Sequence, residues 1–400
     1  MSVSALSGIR VVDFSRVLAG PYCTMLLADF GADVIKIESL DGDDTRQWGP
    51  PWQEGESAYY LSVNRNKRSL ALDLKHPQGR AIARRLVEKA DIVVENFKVG
   101  GMAKFGLDYA TLSKTNPGMI YCSITGYGQT GPYNALAGYD FMIQAEAGLM
   151  SITGPVEGPP YKVGVAIVDI TAGMYASHAI LAALHHREKT GQGQWIDVAL
   201  FDAQLGWLAN VGQNYLVSGK PPQRYGNAHA NIVPYEVFQS ADGYLALAVG
   251  NDRQYQLLCE TVGRADLWQD ERFQTNPGRV VNRGVLIPLL QEIFLTRSTA
   301  SWIETLSQLG IPIGPINDIP AALAHPQAQA RQMVREVPRV DGESIKMVGP
   351  VAQLSHTPAQ IHSAPPRLGE NTREILAVEL ALSPAEIDSL LREKVIGARD

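Results

Sequence analysis

Ile9-Arg10-Val11-Val12-Asp13-Phe14, followed by Ala19 to Phe30 and then by Asp33-Val34-Ile35-Lys36-Ile37-Glu38, is the stretch on which the fold turns. The first and third segments are short, with apolar, β-branched residues at their centres, Val11-Val12 and Val34-Ile35. The middle one is a helical pattern with Pro21 in its first turn, where a missing N–H is no loss. Strand, helix and strand in succession make a β-α-β unit, and its strands run parallel because the helix carries the chain back to the starting end. The alternation resumes after the polar loop Asp41 to Glu56, with strand Ser69 to Leu74, helix Pro77 to Ala90, strand Asp91 to Val94 and strand Met119 to Ile124. Strand Gln194 to Ala199 and helix Phe201 to Val217 follow. This pattern predicts an α/β fold, a mainly parallel sheet with helices on both faces.

Residues 1–220 therefore form the first part of a large α/β domain. Gly219-Lys220-Pro221-Pro222 breaks the pattern and marks a boundary. Residues 225–330 read as a smaller α+β domain, with a hairpin from Val237 to Leu247 turning at Asp242-Gly243. Its helices are expected at Arg253 to Val262, Val281 to Leu295 and Ala300 to Leu309. Residues 331–400, with Pro350, Pro358 and Pro365-Pro366 and a helix from Glu370 to Leu380, are too thin for a domain and are expected to pack back on the large one.

The chain of 400 residues is 45% hydrophobic and 19% charged, with a net charge of −6. An acidic balance argues against nucleic acid or an anionic membrane as partner, since both attract a basic excess. No stretch of sequence approaches the ~18 apolar residues of a membrane span. Cys23, Cys122 and Cys259 are odd in number and sit in apolar contexts, which predicts buried thiols in a reducing cytoplasm.

Most chemistry is concentrated in Gly164-Val165-Ala166-Ile167-Val168-Asp169-Ile170-Thr171-Ala172-Gly173. The run Val163 to Val168 predicts a buried strand, and Asp169 stands where it passes into a helix bearing Met174, Ile180, Leu181 and Leu184 on one side. Ligands bind at such junctions in open α/β sheets, and the first N–H groups of a helix hold anions. An Asp there equally serves as a helix N-cap. Gly126-Tyr127-Gly128-Gln129-Thr130-Gly131 spells a dinucleotide loop, but no helix opens after it, so it predicts a mobile glycine loop over a ligand. Asn64-Arg65-Asn66-Lys67-Arg68 is either a solvated turn or, with Lys75, Lys36, Lys98 and Lys104, a landing place for phosphates. Val94-Glu95-Asn96-Phe97 ends a strand with groups that suit either a ligand or turn formation. The eight histidines show no metal spacing, and His229 stands alone in a Gly/Asn-rich loop. Without a nucleophile elbow or a Cys and His arrangement, a carboxylate remains as the nucleophile.

Further segments complete a pattern: Asp13-Phe14 with Ala19-Gly20-Pro21, Gly31-Ala32-Asp33-Val34-Ile35-Lys36-Ile37-Glu38, Asp44-Thr45-Arg46, Asn66-Lys67-Arg68-Ser69, Leu72-Asp73-Leu74-Lys75, Glu95-Asn96-Phe97, Gly138-Tyr139-Asp140, Asp197-Val198-Ala199 and Pro366-Arg367-Leu368-Gly369-Glu370-Asn371-Thr372. With the Gly126 and Asp169 stretches they make the chain resemble the family III coenzyme A transferases from about Ile9 to Ile396. The resemblance implies a Rossmann-like large domain from both chain ends, a small inserted domain and an interlocked homodimer. It implies Asp169 as a nucleophile that moves CoA from an acyl-CoA to a carboxylic acid through aspartyl anhydride and aspartyl-CoA thioester intermediates. Coenzyme A enters as a thioester substrate, with no permanently bound cofactor and no metal.

By the same resemblance Val17, Leu72, Lys75, Asn96, Phe97, Lys104 and Tyr139 line the CoA channel, with adenine near Leu72 to Lys75. Leu18, Asp140, His229 and Asn251 are acyl-site candidates. Members acting on oxalate have Gln where Leu18 stands and a glycine run where this chain reads Val249-Gly250-Asn251-Asp252. The stretch Gly226 to Tyr235 is closer to members using succinyl-CoA and small dicarboxylates. A related racemase of α-methylacyl-CoA is the rival reading, but such enzymes have His where Tyr139 stands, and a phenol of pKa ~10 fits proton shuttling less well. A CoA-binding protein without turnover is the more distant rival.

Overall fold

Seven strands build the central sheet of the computed structural model, which describes residues 4–339 and 342–399. They are β1 (Arg10–Asp13), β2 (Asp33–Glu38), β3 (Lys67–Leu72), β4 (Ile92–Glu95), β5 (Ile120–Thr125), β6 (Trp195–Ala199) and a terminal strand, Ile396–Gly397. The order across the sheet is terminal strand, β3, β2, β1, β4, β5, β6. All neighbours are parallel except the terminal strand on β3. The chain thus grows from β1 first to one side and then to the other. The crevice beyond the carboxyl ends of β1 and β4 is the switch point where an α/β sheet holds its ligand.

Alternate residues of each strand serve opposite faces. Val12, Ile35, Leu70, Val93 and Tyr121 pack under α2 (Pro77–Val87), α6 (Thr372–Leu380) and α7 (Pro384–Arg392), so the chain's end covers the sheet laid down by its beginning. Val11, Val34, Ile92, Val94 and Ile120 pack under α1 (Ala19–Asp29), α3 (Asp140–Glu146), α4 (Ile167–Thr190) and α5 (Leu200–Trp207). Helix α4 meets α1 along Val168, Ala172, Ala176 and Ile180, a stripe in which small residues allow close approach.

The described residues form two compact units. One takes those within 1–147, 164–207 and 326–400, and the other 148–163 and 208–325. The second unit has its own antiparallel sheet of β7 (Tyr235–Gln239), β8 (Tyr244–Ala248) and β9 (Ile313–Pro315), in the order β9, β8, β7. Its core is built on Phe238, Leu245, Tyr255, Leu290, Phe294 and Trp302. Its hairpin turns through Ser240 to Gly243, where the Ser240 N–H donates to the Gly243 carbonyl at 2.9 Å.

Several expectations are corrected. Val163 to Val168 forms no strand: it has no partner strand, Val165 is 55% exposed, and α4 already begins at Ile167. The stretch Phe201 to Val217 is two helices, α5 and Ala209–Ser218, and the second unit resumes at Leu208 instead of near residue 225. On α4, Ile180 and Leu184 are buried, whereas Met174 and Leu181 face outward. This helix is long and apolar enough to cross a membrane, contrary to the reading of the sequence, yet half of it is buried inside the fold. The basic run Asn64 to Arg68 is neither a solvated turn nor a phosphate site. Arg65 pairs with Asp29 at 2.6 Å, Lys67 with Asp13 at 3.3 Å and Arg68 with Asp33 at 2.7 Å, the first two as buried pairs that keep interior charges compensated.

Candidate active site

The loop after β1 and the loop after β4 face each other across the switch point. Val17 and Leu18 come from the first, Asn96 and Phe97 from the second. With Tyr139 and Asp169 they line a cavity of about 180 Å³, to which Arg16, Trp48 and Lys98 also contribute. A second cavity of about 290 Å³ is lined by Leu72, Lys75, Lys36 and Phe105. Arg16 and Phe97 line both, so the two cavities lie side by side against a common wall.

Asp169 is the third residue of α4 and not its cap. The N-cap is Ala166, which has no side-chain oxygen to offer the helix. Asp140 supplies it from α3: its Oδ1 accepts from the Val168 N–H at 2.7 Å and lies 3.4 Å from the Asp169 nitrogen. Gln144 holds its other oxygen at 2.6 Å. The amides that would ordinarily stabilise an anion at this end are thus already taken. Among the described residues no hydrogen bond or ion pair engages the Asp169 carboxylate. Burial first, and the neighbouring Asp140 charge second, push it up to about 7. Such a carboxylate is poorly solvated, partly ionised at neutrality and open to the cavity, with no cation to hold it in place. Tyr59 is pushed up to about 12 by burial and then by Asp169 and Asp140, and its ring meets Trp48 edge-on at 5.2 Å.

Val17 is the strained point. Its φ is +69°, a left-handed conformation that costs a β-branched residue ~1–3 kcal/mol. The Gly126 loop is closed at its base, since a Cβ on Gly138 would stand 2.3 Å from the Gly126 Cα. Only glycine at both positions allows this crossing, which sets the direction of Tyr139. No helix follows Gly131 until α3.

The residues singled out in the sequence separate into groups. Val17, Leu18, Asn96, Phe97, Tyr139 and Asp169 share one cavity, and Leu72 and Lys75 line the other. Lys104 lines neither and is exposed on the single turn Met102–Phe105. The Asn96 amide is already engaged on both sides of the Arg16 backbone, accepting from its N–H at 2.9 Å and donating to its carbonyl at 2.7 Å. His229 and Asn251 belong to the second unit. There His229 Nδ1 accepts from the Asn231 N–H at 3.0 Å, and Asn251 caps the helix Asp252–Thr261. Arg16, Trp48 and Tyr59 were missed. Arg16, a charged residue just past the first strand of a β-α-β unit, was legible from the switch-point rule.

Comparison with known proteins gives consistent matches. The family model for CoA-transferase family III matches residues 6–372. The chain is 49% identical over 379 residues to the succinate–glutarate CoA-transferase of Agrobacterium fabrum, covering 93% of this chain and 95% of that protein. It is 42% identical over 396 residues to the succinyl-CoA:glutarate CoA-transferase of Mus musculus, covering 99% and 91%. The crystal structure of a CAIB/BAIF family protein from Brucella suis superposes with a TM-score of 0.84 at 46% identity, covering 95% of this chain and 100% of that one.

Proposed function

This chain belongs to CoA-transferase family III, and we propose that it moves CoA from succinyl-CoA to a small dicarboxylate with Asp169 as the nucleophile. The observation that carries the reading is a carboxylate with no cation beside it, opening on a cavity that shares the wall of Arg16 and Phe97 with the cavity lined by Leu72 and Lys75; in this reading the two form one passage for CoA. The Asp169 carboxylate attacks the thioester carbonyl and the C–S bond breaks, giving a mixed anhydride and CoA thiolate. The thiolate then attacks the aspartyl carbonyl, releasing the donor acid and leaving an aspartyl-CoA thioester. The acceptor carboxylate attacks that thioester and expels the thiolate. The thiolate then takes the acceptor's acyl group and frees Asp169. Each intermediate is an activated acyl, so no external energy source is required.

In this reading adenine rests by Leu72 to Lys75, with Lys75 and the exposed Lys104 near the phosphates, and pantetheine passes Phe97, Val17 and Tyr139. Asp140 acts beside the acyl group by holding the helix that presents Asp169. The names of the bacterial and mouse relatives, both transferases between succinate and glutarate, support a dicarboxylate acceptor. The three buried free cysteines fit the cytoplasm. Incubating the protein with succinyl-CoA alone and then hydroxylamine is expected to modify Asp169 in a peptide map. The yield should rise with pH through about 7, because only the carboxylate attacks. Modification at another residue, or none while the protein turns over, would rule the covalent route out.

The interlocked homodimer is part of the same proposal. Met174, Tyr175 and Leu181 on α4, and Tyr215, Leu216 and Val217 on Ala209–Ser218, are apolar groups exposed in the single chain. Such patches mark association surfaces. Light scattering is expected to return twice the chain mass of 43.5 kDa at all working concentrations, and a monomer mass would refute the dimer.

A further inference from the structure

The loop between β1 and α1 is held from Phe14 to Val17 by groups from other elements. The Phe14 N–H donates to the Val94 carbonyl at 2.8 Å, and the Ser15 N–H to Asp13 at 2.9 Å. The Ser15 carbonyl accepts from Lys36 Nζ at 2.9 Å, and Asn96 clamps Arg16 through both its N–H and its carbonyl. The Val17 N–H donates to both oxygens of Asp43 at 3.2 Å. Asp43 is itself a fixed post. Its oxygens also accept from Lys36 at 2.9 Å, from the Thr45 amide at 3.0 Å and from the Thr45 hydroxyl at 2.8 Å, and it is 3% exposed. Burial opposes its charge, but Lys36 and Thr45 outweigh that and hold it down at about 2. It is therefore an anion at every working pH.

At the centre of these anchors sits Val17 with φ +69°. A residue that disfavours this conformation keeps it only where its surroundings over-determine it. The reversal sends Arg16 to the junction of the two cavities and Leu18 into the one that holds Asp169.

We propose that Asp43 and Asn96 are positioning residues of the transfer reaction: they hold Val17 in its left-handed turn, which shapes the passage so that the thioester reaches Asp169 in line. The proposal rests on the course of CoA described above. Neither residue touches the reacting atoms. Asp43 could instead serve only to neutralise Lys36, and Asn96 only to tie two loops together. Glycine adopts positive φ without help, so a loop carrying Val17→Gly no longer depends on the clamps. That substitution adds no charge near Lys36 and no tie between the loops.

The experiment uses the full-length protein with succinyl-CoA and glutarate as probes. Asp43→Asn and Asn96→Ala are each expected to lower kcat about 100-fold, the usual cost of a misplacement of about 1 Å, while KM for succinyl-CoA changes less than about threefold because Leu72 and Lys75 are untouched. Adding Val17→Gly to either variant is expected to restore kcat at least tenfold. Should Asp43→Asn fail to fold, Asn96→Ala, which leaves no buried charge unpaired, decides alone. CoA titration of Lys75→Ala separates the two layers of the argument. If that change leaves CoA affinity intact, the passage is misplaced and the inference falls with it. If it weakens binding while Val17→Gly rescues neither variant, the passage stands and the positioning role is overturned.

Discussion

Asp169→Asn is expected to lower kcat by at least about 10⁴-fold, as loss of a covalent nucleophile does, and to leave CoA affinity within about threefold. It is also expected to make the protein more stable. Burial and Asp140 raise Asp169 from an ordinary 3.8 to about 7, so the folded chain carries an anion that its surroundings disfavour. At ~1.4 kcal/mol per tenfold change in proton affinity this amounts to at most ~4 kcal/mol, and its partial contact with solvent reduces the figure to the order of 2 kcal/mol. The direction follows from linkage. Between pH 4 and 7 the unfolded chain has shed the proton while the folded chain keeps it, so stability falls as pH rises across that window and the full penalty persists above it. Asparagine has no such penalty. Calorimetry should therefore show Asp169→Asn melting a few degrees above the wild type at pH 8, and the gap should shrink at pH 5. A mutant that melts lower than the wild type at pH 8, or that retains substantial turnover, would show Asp169 to be a structural anion.

A site that stores strain in this way is hard to read from local pattern. The frame was legible because β1, α1 and β2 announce themselves by a change of period, and each strand carries an adjacent apolar, β-branched pair, Val11-Val12 and Val34-Ile35, buried on opposite faces. The error at Val163 to Val168 has the same origin as that success. β-Branched residues favour strands, but here Gly164 precedes them, no neighbouring strand exists to pair with, and Val168 finds its burial on α1. The outward turn of Met174 and Leu181 could not be seen either, since an exposed apolar face has the same spacing as one turned to the core. Ile396–Gly397 is too short to carry any pattern, although it closes one edge of the sheet.

The site divides in the same way. Asp169 stood out by its type and place and Lys75 and Lys104 as cations at strand ends or in the loops after them, while Leu72 entered through the family resemblance alone. Asp140 as the remote cap of α4 and Asp43 as the post behind Val17 are contacts between residues 28 and 26 positions apart in the chain. Local rules for capping and turn formation look a few residues away and miss them. The physical signal left in the sequence was an absence. Ala166 stands where a helix start calls for Ser, Thr, Asp or Asn, so another group had to satisfy those amides.

Gly173→Ala puts the placement of Asp169 to a separate test. In the middle of an exposed helix this change would stabilise by ~1 kcal/mol, since alanine orders more readily than glycine. On α4 the added Cβ would stand 2.5 Å from the Ala19 carbonyl oxygen, 3.2 Å from Tyr22 Cδ1 and 3.3 Å from the Cys23 nitrogen. The nearest atom is backbone, so α4 must move away from α1, at an overpacking cost of ~1–3 kcal/mol that outweighs the helical gain. The movement falls where it does most harm. Asp169 lies one turn before Gly173, and Ala19 directly follows Leu18 in the wall of the same cavity. We therefore expect a melting temperature lower by several degrees and a kcat reduced about 100-fold, with CoA affinity held by the distant Leu72 and Lys75. Gly284→Ala provides the opposite sign, because Gly284 lies in the helix Arg283–Phe294 with nothing within 4 Å of its added Cβ, and it should melt slightly higher with unchanged kcat. If Gly173→Ala behaved like Gly284→Ala, the close packing of α4 on α1 would not be what aims the carboxylate.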